Sequence, residues 1–186
     1  RLDPDIMMVG EVRSPGSASA PAALVVDIQD AVLNEFTGST ETKVDAAEYL
    51  RIVQHWLADL VAKGRRYAVM EASSHALDQG RVNGIAFAVA VLTQLSRDHL
   101  DYHGTLEAYA AAKRRLFVDH QPNWAVLNLD DAFGQELVTQ AQVRRGVIAY
   151  GLGERPTALE RFVWCKRLEL TGNGLRLHIQ SSWGQG

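Results

Sequence analysis

Apolar residues recur along this chain with two periods, and the change of period marks out its elements. Between residues 46 and 62, Leu50, Val53, Leu57, Leu60 and Val61 share one side of a helical repeat, which predicts an amphipathic helix stopped by Gly64. Tyr67-Ala68-Val69-Met70-Glu71 reads as a short buried strand, and Ser73 to Leu77 as a turn into a short helix. A second strand, Phe87 to Thr93, a helix from Thr105 to Asp119, a strand from Trp124 to Leu127, a helix from Asp131 to Thr139 and a strand from Gly146 to Tyr150 follow. Such alternation predicts an α/β fold, a three-layer, mostly parallel sheet covered on both faces. From Arg161 the pattern becomes antiparallel. Phe162, Trp164, Leu168 and Leu170 precede Thr171-Gly172-Asn173-Gly174, and Leu175, Leu177 and Ile179 follow, which predicts a C-terminal antiparallel hairpin with Asn-Gly at its turn.

The first quarter of the chain is less regular. Ile6 to Val9 forms a short apolar run, and Ser14-Pro15-Gly16-Ser17-Ala18-Ser19-Ala20-Pro21 is a linker-like stretch of small residues and breakers. From Ala22 to Phe36, the apolar positions Leu24, Val25, Ile28, Val32, Leu33 and Phe36 have helical spacing. Residues 1–45 are therefore left as an unassigned segment and 46–186 are read as one domain.

Composition narrows the setting. The 186 residues are 47% hydrophobic and 22% charged, ordinary for a globular chain able to bury a sizeable core. A formal charge of −3 offers no basic field for nucleic acid. The single cysteine, Cys165, excludes an internal disulfide and reads as a packing residue. No apolar run reaches the ~18 residues that span a bilayer, and Arg-Leu-Asp-Pro-Asp carries no signal-peptide pattern. The expected setting is the cytoplasm, with no membrane partner.

Candidate chemistry gathers at strand ends, where open α/β sheets build their sites. Glu71 ends the first strand of the alternation. Asp98, His99, Asp101 and His103 follow the second, and the next helix carries Lys113. Taken singly, each has a plain reading: a solvated or ion-paired Glu71, a structural His99, a surface Lys113. His99 and His103 are four residues apart, but Gly104 and the Asp101-Tyr102 context suggest a loop, so no zinc site is assigned. His55 and Trp56 read as surface and packing residues.

Three stretches change that balance: Met-Glu-Ala-Ser-Ser-His-Ala-Leu-Asp-Gln-Gly-Arg (residues 70–81), Thr-Gln-Leu-Ser-Arg-Asp-His-Leu-Asp-Tyr-His-Gly (93–104) and Tyr-Ala-Ala-Ala-Lys-Arg-Arg-Leu-Phe (109–117). In order and spacing they resemble the central domain of the Mur ligases, from about Ala46 onward, with Gln94 where the family usually has Asn. The resemblance is strongest to the branch that adds an amino acid to UDP-N-acetylmuramoyl-dipeptide in peptidoglycan precursor synthesis. It implies an ATP-dependent amide-bond ligase acting through an acyl phosphate, with magnesium gathering phosphate and carboxylate oxygens. It implies that Glu71 and His99 are magnesium ligands. Lys113 would be carbamylated by carbon dioxide, giving two further oxygens for the metal; only the neutral amine reacts, so its surroundings must favour deprotonation. By the same resemblance Ser73, Gln79 and Arg81 contact the UDP-N-acetylmuramoyl-peptide, and Asn128 contacts the nucleotide. Asp130 and Asp131 read equally well as caps of the following helix, and Asp98 as a loop or turn support.

The chain also departs from the family. A phosphate-binding loop, Gly-Thr-Asn-Gly-Lys-Thr-Thr, precedes the glutamate strand there and cradles phosphates on its backbone N–H groups. These 186 residues contain no Gly-Lys-Thr or Gly-Lys-Ser. Ala46 and Ala47 stand where the family has paired threonines, and the UDP-binding and amino-acid-selecting domains are not represented. Whether the chain is itself an enzyme is therefore open between an active ligase and a non-catalytic folded module. A third reading rests on Leu2 to Arg13, which resembles the Walker B segment of secretion-type hexameric ATPases, with Glu11 as the matching acid. If residues 1–45 left the sheet incomplete, exposed apolar surface would predict a dimer.

Overall fold

The computed structural model of the chain describes residues 6–11, 24–25, 45–64, 67–97, 99–172 and 174–185. Strands β1 (Ile6–Glu11) and β2 (Leu24–Val25) come first. Helix α1 (Ala46–Ala62) follows, then β3 (Tyr67–Glu71), α2 (Ser74–Asp78) and β4 (Val89–Leu92). A single turn α3 (Leu100–His103), α4 (Leu106–Val118), β5 (Trp124–Asn128), α5 (Ala132–Gln140) and β6 (Gly146–Leu152) continue the alternation. Strands β7 (Phe162–Thr171), β8 (Gly174–Ser181) and β9 (Gly184–Gln185) complete it.

Local chemistry explains these boundaries. Asp45 caps α1 by accepting the Glu48 N–H at 2.9 Å, and the chain leaves at Gly64, whose φ of +71° suits a residue without a Cβ. Thr105 caps α4 through the Ala108 N–H, and Asp131 caps α5 through Phe133 and Gly134. The strand between the two longer helices pairs where its alternation leads: β4, β5, β6 and β7 run parallel in that order, and β2 runs parallel to β3.

The strands form one sheet in the order β2-β3-β1-β4-β5-β6-β7-β8-β9. This is the expected α/β class with the expected hairpin at its end. The addition is β1, which lies between β3 and β4 and is antiparallel to both. Residues 6–11 thus fill an interior position of the sheet, third in its order. One local expectation shifts. Leu24 and Val25, which have helical spacing with Ile28 and Val32, pair as a strand beside Ala68 and Val69; the rest of the expected helix, 26–36, lies outside the described residues. The hairpin closes with Thr171 opposite Gly174; Asn173 of the expected Asn-Gly turn lies outside the described residues.

Alternate strand positions make the core. Ala68 and Met70 of β3, Ala90 and Leu92 of β4, and Ala125 and Leu127 of β5 are buried in one cluster with helix residues. Ile52, Val53 and Leu60 of α1, Leu116 and Phe117 of α4, and Phe133 and Leu137 of α5 meet them there. Each of the larger side chains among them, Val, Leu, Ile, Phe or Met, contributes roughly 1.5–3 kcal/mol of transfer free energy. Close approach is needed where α5 crosses the end of β5: a Cβ on Gly134 would lie 1.8 Å from the Asn128 carbonyl oxygen.

The hairpin has two unlike faces. Leu168 opposes Leu177 and Leu170 opposes Leu175, and all four are exposed, Leu170 to 86%. The other face holds Glu169 between Arg167, at 2.8 Å, and Arg176, at 3.7 Å. Among the described residues, no helix is long and apolar enough to cross a membrane.

Candidate functional site

Strand order brings two of the sequence-singled residues, Glu71 and Asn128, to one edge. Met7 of β1 pairs with Glu71 on one side and Val91 on the other, so Glu71 ends β3 at the level where β4 ends. Leu92 in turn pairs with Leu127, which places Asn128 at the same edge one strand further. Glu11 does not join them. It pairs with Tyr67, at the opposite end of β3.

Behind Glu71 the chain turns at Ser73, whose Oγ caps α2 by accepting the Ala76 N–H at 3.2 Å. Ser74 is fully buried, and its Oγ lies 2.9 Å from Nε2 of His103 on α3. His99 enters α3 in the left-handed region, φ 53°, an uncommon conformation for a residue with a Cβ. The His75 ring then sits among three others, with centroids 4.9 Å from His99, 4.1 Å from Tyr102 and 5.5 Å from His103. Burial pushes the His75 imidazole below its ordinary value, with the imidazoles of His99 and His103 adding to that. His103 is lowered as well, first by burial, against an opposing pull from Asp78.

Lys113 is only 1% exposed, so it is not the surface lysine of the plain reading. Its Nζ lies 4.9 Å from the centroid of the fully buried Tyr109 ring, within cation–π reach. Tyr109 is itself 5.4 Å from the His103 ring. Arg114 and Arg115 point elsewhere, as helix geometry requires: Arg114 pairs with Glu136 at 2.9 Å, and Arg115 donates to the Asp78 carbonyl at 3.0 Å.

The other sequence-singled side chains are partly engaged within the protein. Gln79 donates to the Tyr102 hydroxyl at 3.1 Å, which donates to Asp78 at 2.9 Å. Arg81 lies over the Tyr49 ring, 5.3 Å from its centroid, and its Nε is buried without a hydrogen-bond partner. Asn128 donates to the Thr93 carbonyl at 2.6 Å and accepts from Asp130 N–H, tying the ends of β4 and β5. Asp130 accepts the Leu152 N–H, while Asp131 caps α5 and accepts the Leu95 N–H at 2.9 Å. Asp98 lies outside the described residues.

Sequence reasoning gave Ser74 and His75 only the shaping of a turn and did not single out Tyr102 or Tyr109. Tyr109 had a signal, since it stands one helical turn before Lys113. The Ser74–His103 contact had none, because 29 positions separate the two.

The donor set constrains any metal. Among the described residues, no group of three or more His, Cys, Asp or Glu side chains could hold an ion. Glu71 offers a hard carboxylate and His99 an imidazole, but an ammonium on Lys113 would repel a cation. Magnesium favours oxygen ligands, and Glu71 is the one oxygen donor of the three side chains as they stand.

A sheet whose strand ends carry these residues defines a recognisable class, and the match is direct: residues 25–185 match the Mur ligase middle domain, and the chain belongs to that family. Among its relatives are enzymes named UDP-N-acetylmuramoyl-L-alanyl-D-glutamate--2,6-diaminopimelate ligase. That of Vibrio cholerae serotype O1 is 40% identical over 82% of this chain and 30% of its own length. That of Ectopseudomonas mendocina is 47% identical over 72% of this chain and 26% of its own. A solved structure of a ligase with the same name superimposes with a TM-score of 0.64 at 36% identity, covering 80% of this chain and 29% of that one. The chain thus spans less than a third of the length of these relatives.

Proposed function

We propose that this chain is the nucleotide-binding middle domain of an ATP-dependent ligase that extends UDP-N-acetylmuramoyl-dipeptide by one amino acid, diaminopimelate in the relatives' names. The reaction phosphorylates a carboxylate, lets an amine attack the acyl phosphate and releases phosphate. Magnesium supplies charge compensation for the oxygens gathered there. Glu71, His99 and carbamylated Lys113 would hold it. Arg81 would meet the substrate's phosphates or carboxylates by paired hydrogen bonds. Ser73 and Gln79 would line the same substrate, and Asn128 would approach the nucleotide. The observation that carries this reading is the burial of Lys113 on α4, a helix that packs against α2, the helix that follows Glu71.

A second reading has its own observation. Strand β1 is antiparallel, so the chain leaves it beside Tyr67 rather than beside Glu71. Its exit cannot form a phosphate cradle at the Glu71 edge. On that reading the 186 residues are a folded module that does not turn over ATP.

Calorimetric titration of the chain with magnesium-ATP separates the two. Micromolar binding that Glu71→Gln weakens at least tenfold, together with a carbon-dioxide adduct on Lys113 in native mass spectrometry, supports the ligase domain. A folded chain with neither binding nor adduct supports the module.

A further inference from the structure

The opposite edge of the sheet holds a cavity of about 380 Å³, a size found in small-molecule sites. Its floor is the segment entering β4, with Ala86, Phe87 and Ala88, and its walls are the loop from α4 to β5 and Arg144 before β6. The four residues of β4, roughly 13 Å of strand, separate it from the Glu71 edge. It is independent of the ligase reading.

The frame of the cavity is built into the sheet. Asn123 N–H donates to Phe87 at 3.2 Å and Trp124 N–H to Ala88 at 3.0 Å. Arg144 N–H donates to Pro122 at 3.1 Å, and Arg145 N–H to Asn123 at 2.9 Å. Between these ties Gln121 is held at φ 46°, a left-handed conformation that costs a residue with a Cβ and persists where its surroundings impose it. The apolar wall is Ala86 and Ala88, backed by the buried Phe87, with the His120 ring edge-on to Phe87 at 5.4 Å.

Four polar side chains line the cavity beside that wall. His120, Gln121, Asn123 and Arg144 make no side-chain hydrogen bond or ion pair with any described residue. Burial pushes the His120 imidazole below its ordinary value, with Asp119 opposing and Arg115 adding to it. Arg144 is then the one fixed charge in the lining. A preformed apolar wall, two amides, a neutral imidazole and a guanidinium form a complementary surface for an anion with a flat body.

We propose that this cavity binds a small organic anion, a carboxylate or phosphate on a flat apolar group, with the anion on Arg144 and the body against Ala86 and Ala88. The test follows the His120 ring signals by NMR while the full chain is titrated with benzoate, phenyl phosphate, inorganic phosphate and benzyl alcohol. Saturable shifts with benzoate, phenyl phosphate or both are expected, with a dissociation constant on the order of a millimolar for so few atoms. Whichever binds more tightly assigns carboxylate or phosphate. Arg144→Gln, at an exposed position that leaves the fold intact, is expected to weaken binding at least tenfold. Absence of a saturable shift, equal binding by Arg144→Gln, or equal binding of benzyl alcohol would overturn the proposal. Inorganic phosphate binding as tightly as phenyl phosphate would do so too, since the apolar wall would then contribute nothing.

Discussion

Ser74 Oγ lies 2.9 Å from His103 Nε2, joining the helix after β3 to the turn after β4. This contact fixes α3 against α2, and with it the His75, His99 and Tyr102 rings packed between them. Because Ser74 is fully buried, the hydroxyl cannot be replaced by solvent without rearrangement. Ser74→Ala is expected to lower stability by about 1 kcal/mol, a melting shift of roughly 2–4 °C for a chain of this size. Differential scanning calorimetry reads it, and an unchanged melting temperature would mean the contact contributes no net stability.

The same ring cluster makes a pH prediction. His75 and His103 are both held below the ordinary histidine value of 6.5, chiefly by burial. At a pH below 6.5 the unfolded chain binds more protons at these positions than the folded one, so stability rises with pH there. The contribution is complete above the unfolded value and is lost as pH falls toward the folded values. Urea midpoints measured from pH 7.5 down to about 5, above the range where carboxylates titrate, should fall. His103→Gln should flatten part of that slope. Midpoints that stay level, or rise on acidification, would contradict the burial argument.

Asp131 serves two elements at once. One oxygen caps α5 through Phe133 and Gly134, and the other accepts the Leu95 N–H after β4. Asp131→Ala removes the cap and strands a part-buried N–H, an expected cost of about 2–3 kcal/mol. Asp131→Asn keeps one acceptor and should fall between the two in urea unfolding. Equal effects from both would mean that only the charge matters.

Glycine to alanine inside an exposed helix usually stabilises by about 1 kcal/mol. At Gly134 the expected sign is reversed. The new methyl would overlap the Asn128 carbonyl, which is backbone and cannot swing aside. Displacing α5 from the end of β5 should cost more than about 2 kcal/mol, read as a lower denaturation midpoint. A stabilised Gly134→Ala would show that the helix slides freely.

Most of the parallel unit was legible because its punctuation is local. Gly64 stops α1, Thr105 and Asp131 open α4 and α5, and Glu71 ends a strand of unambiguous apolar residues. What was not legible depends on distance or direction. Residues 6–9 read as an apolar run whichever way the strand points, so its antiparallel course could not be read from them. Leu24 and Val25 fit a helical repeat, yet the edge of β3 recruits them as a strand. At the site, Glu71, His99 and Lys113 stood out through motifs. The capping of Ser73, the tie made by Asn128 and the ring beneath Lys113 arise from contacts that no single motif encodes.

The interior place of β1 sets the order in which the sheet can be completed. Its partners on β3 lie about 60 positions further along the chain, and those on β4 about 80, so its pairing closes two of the longest loops in the fold. The helices and the β4–β7 unit have shorter connections and should form sooner. During synthesis, at roughly 5–20 residues per second, β1 would wait several seconds before its second partner exists. The first of these strands to be made must wait for both of its partners. Slow refolding should therefore appear as late hydrogen-exchange protection of residues 6–11, after β5 and β6 are already protected.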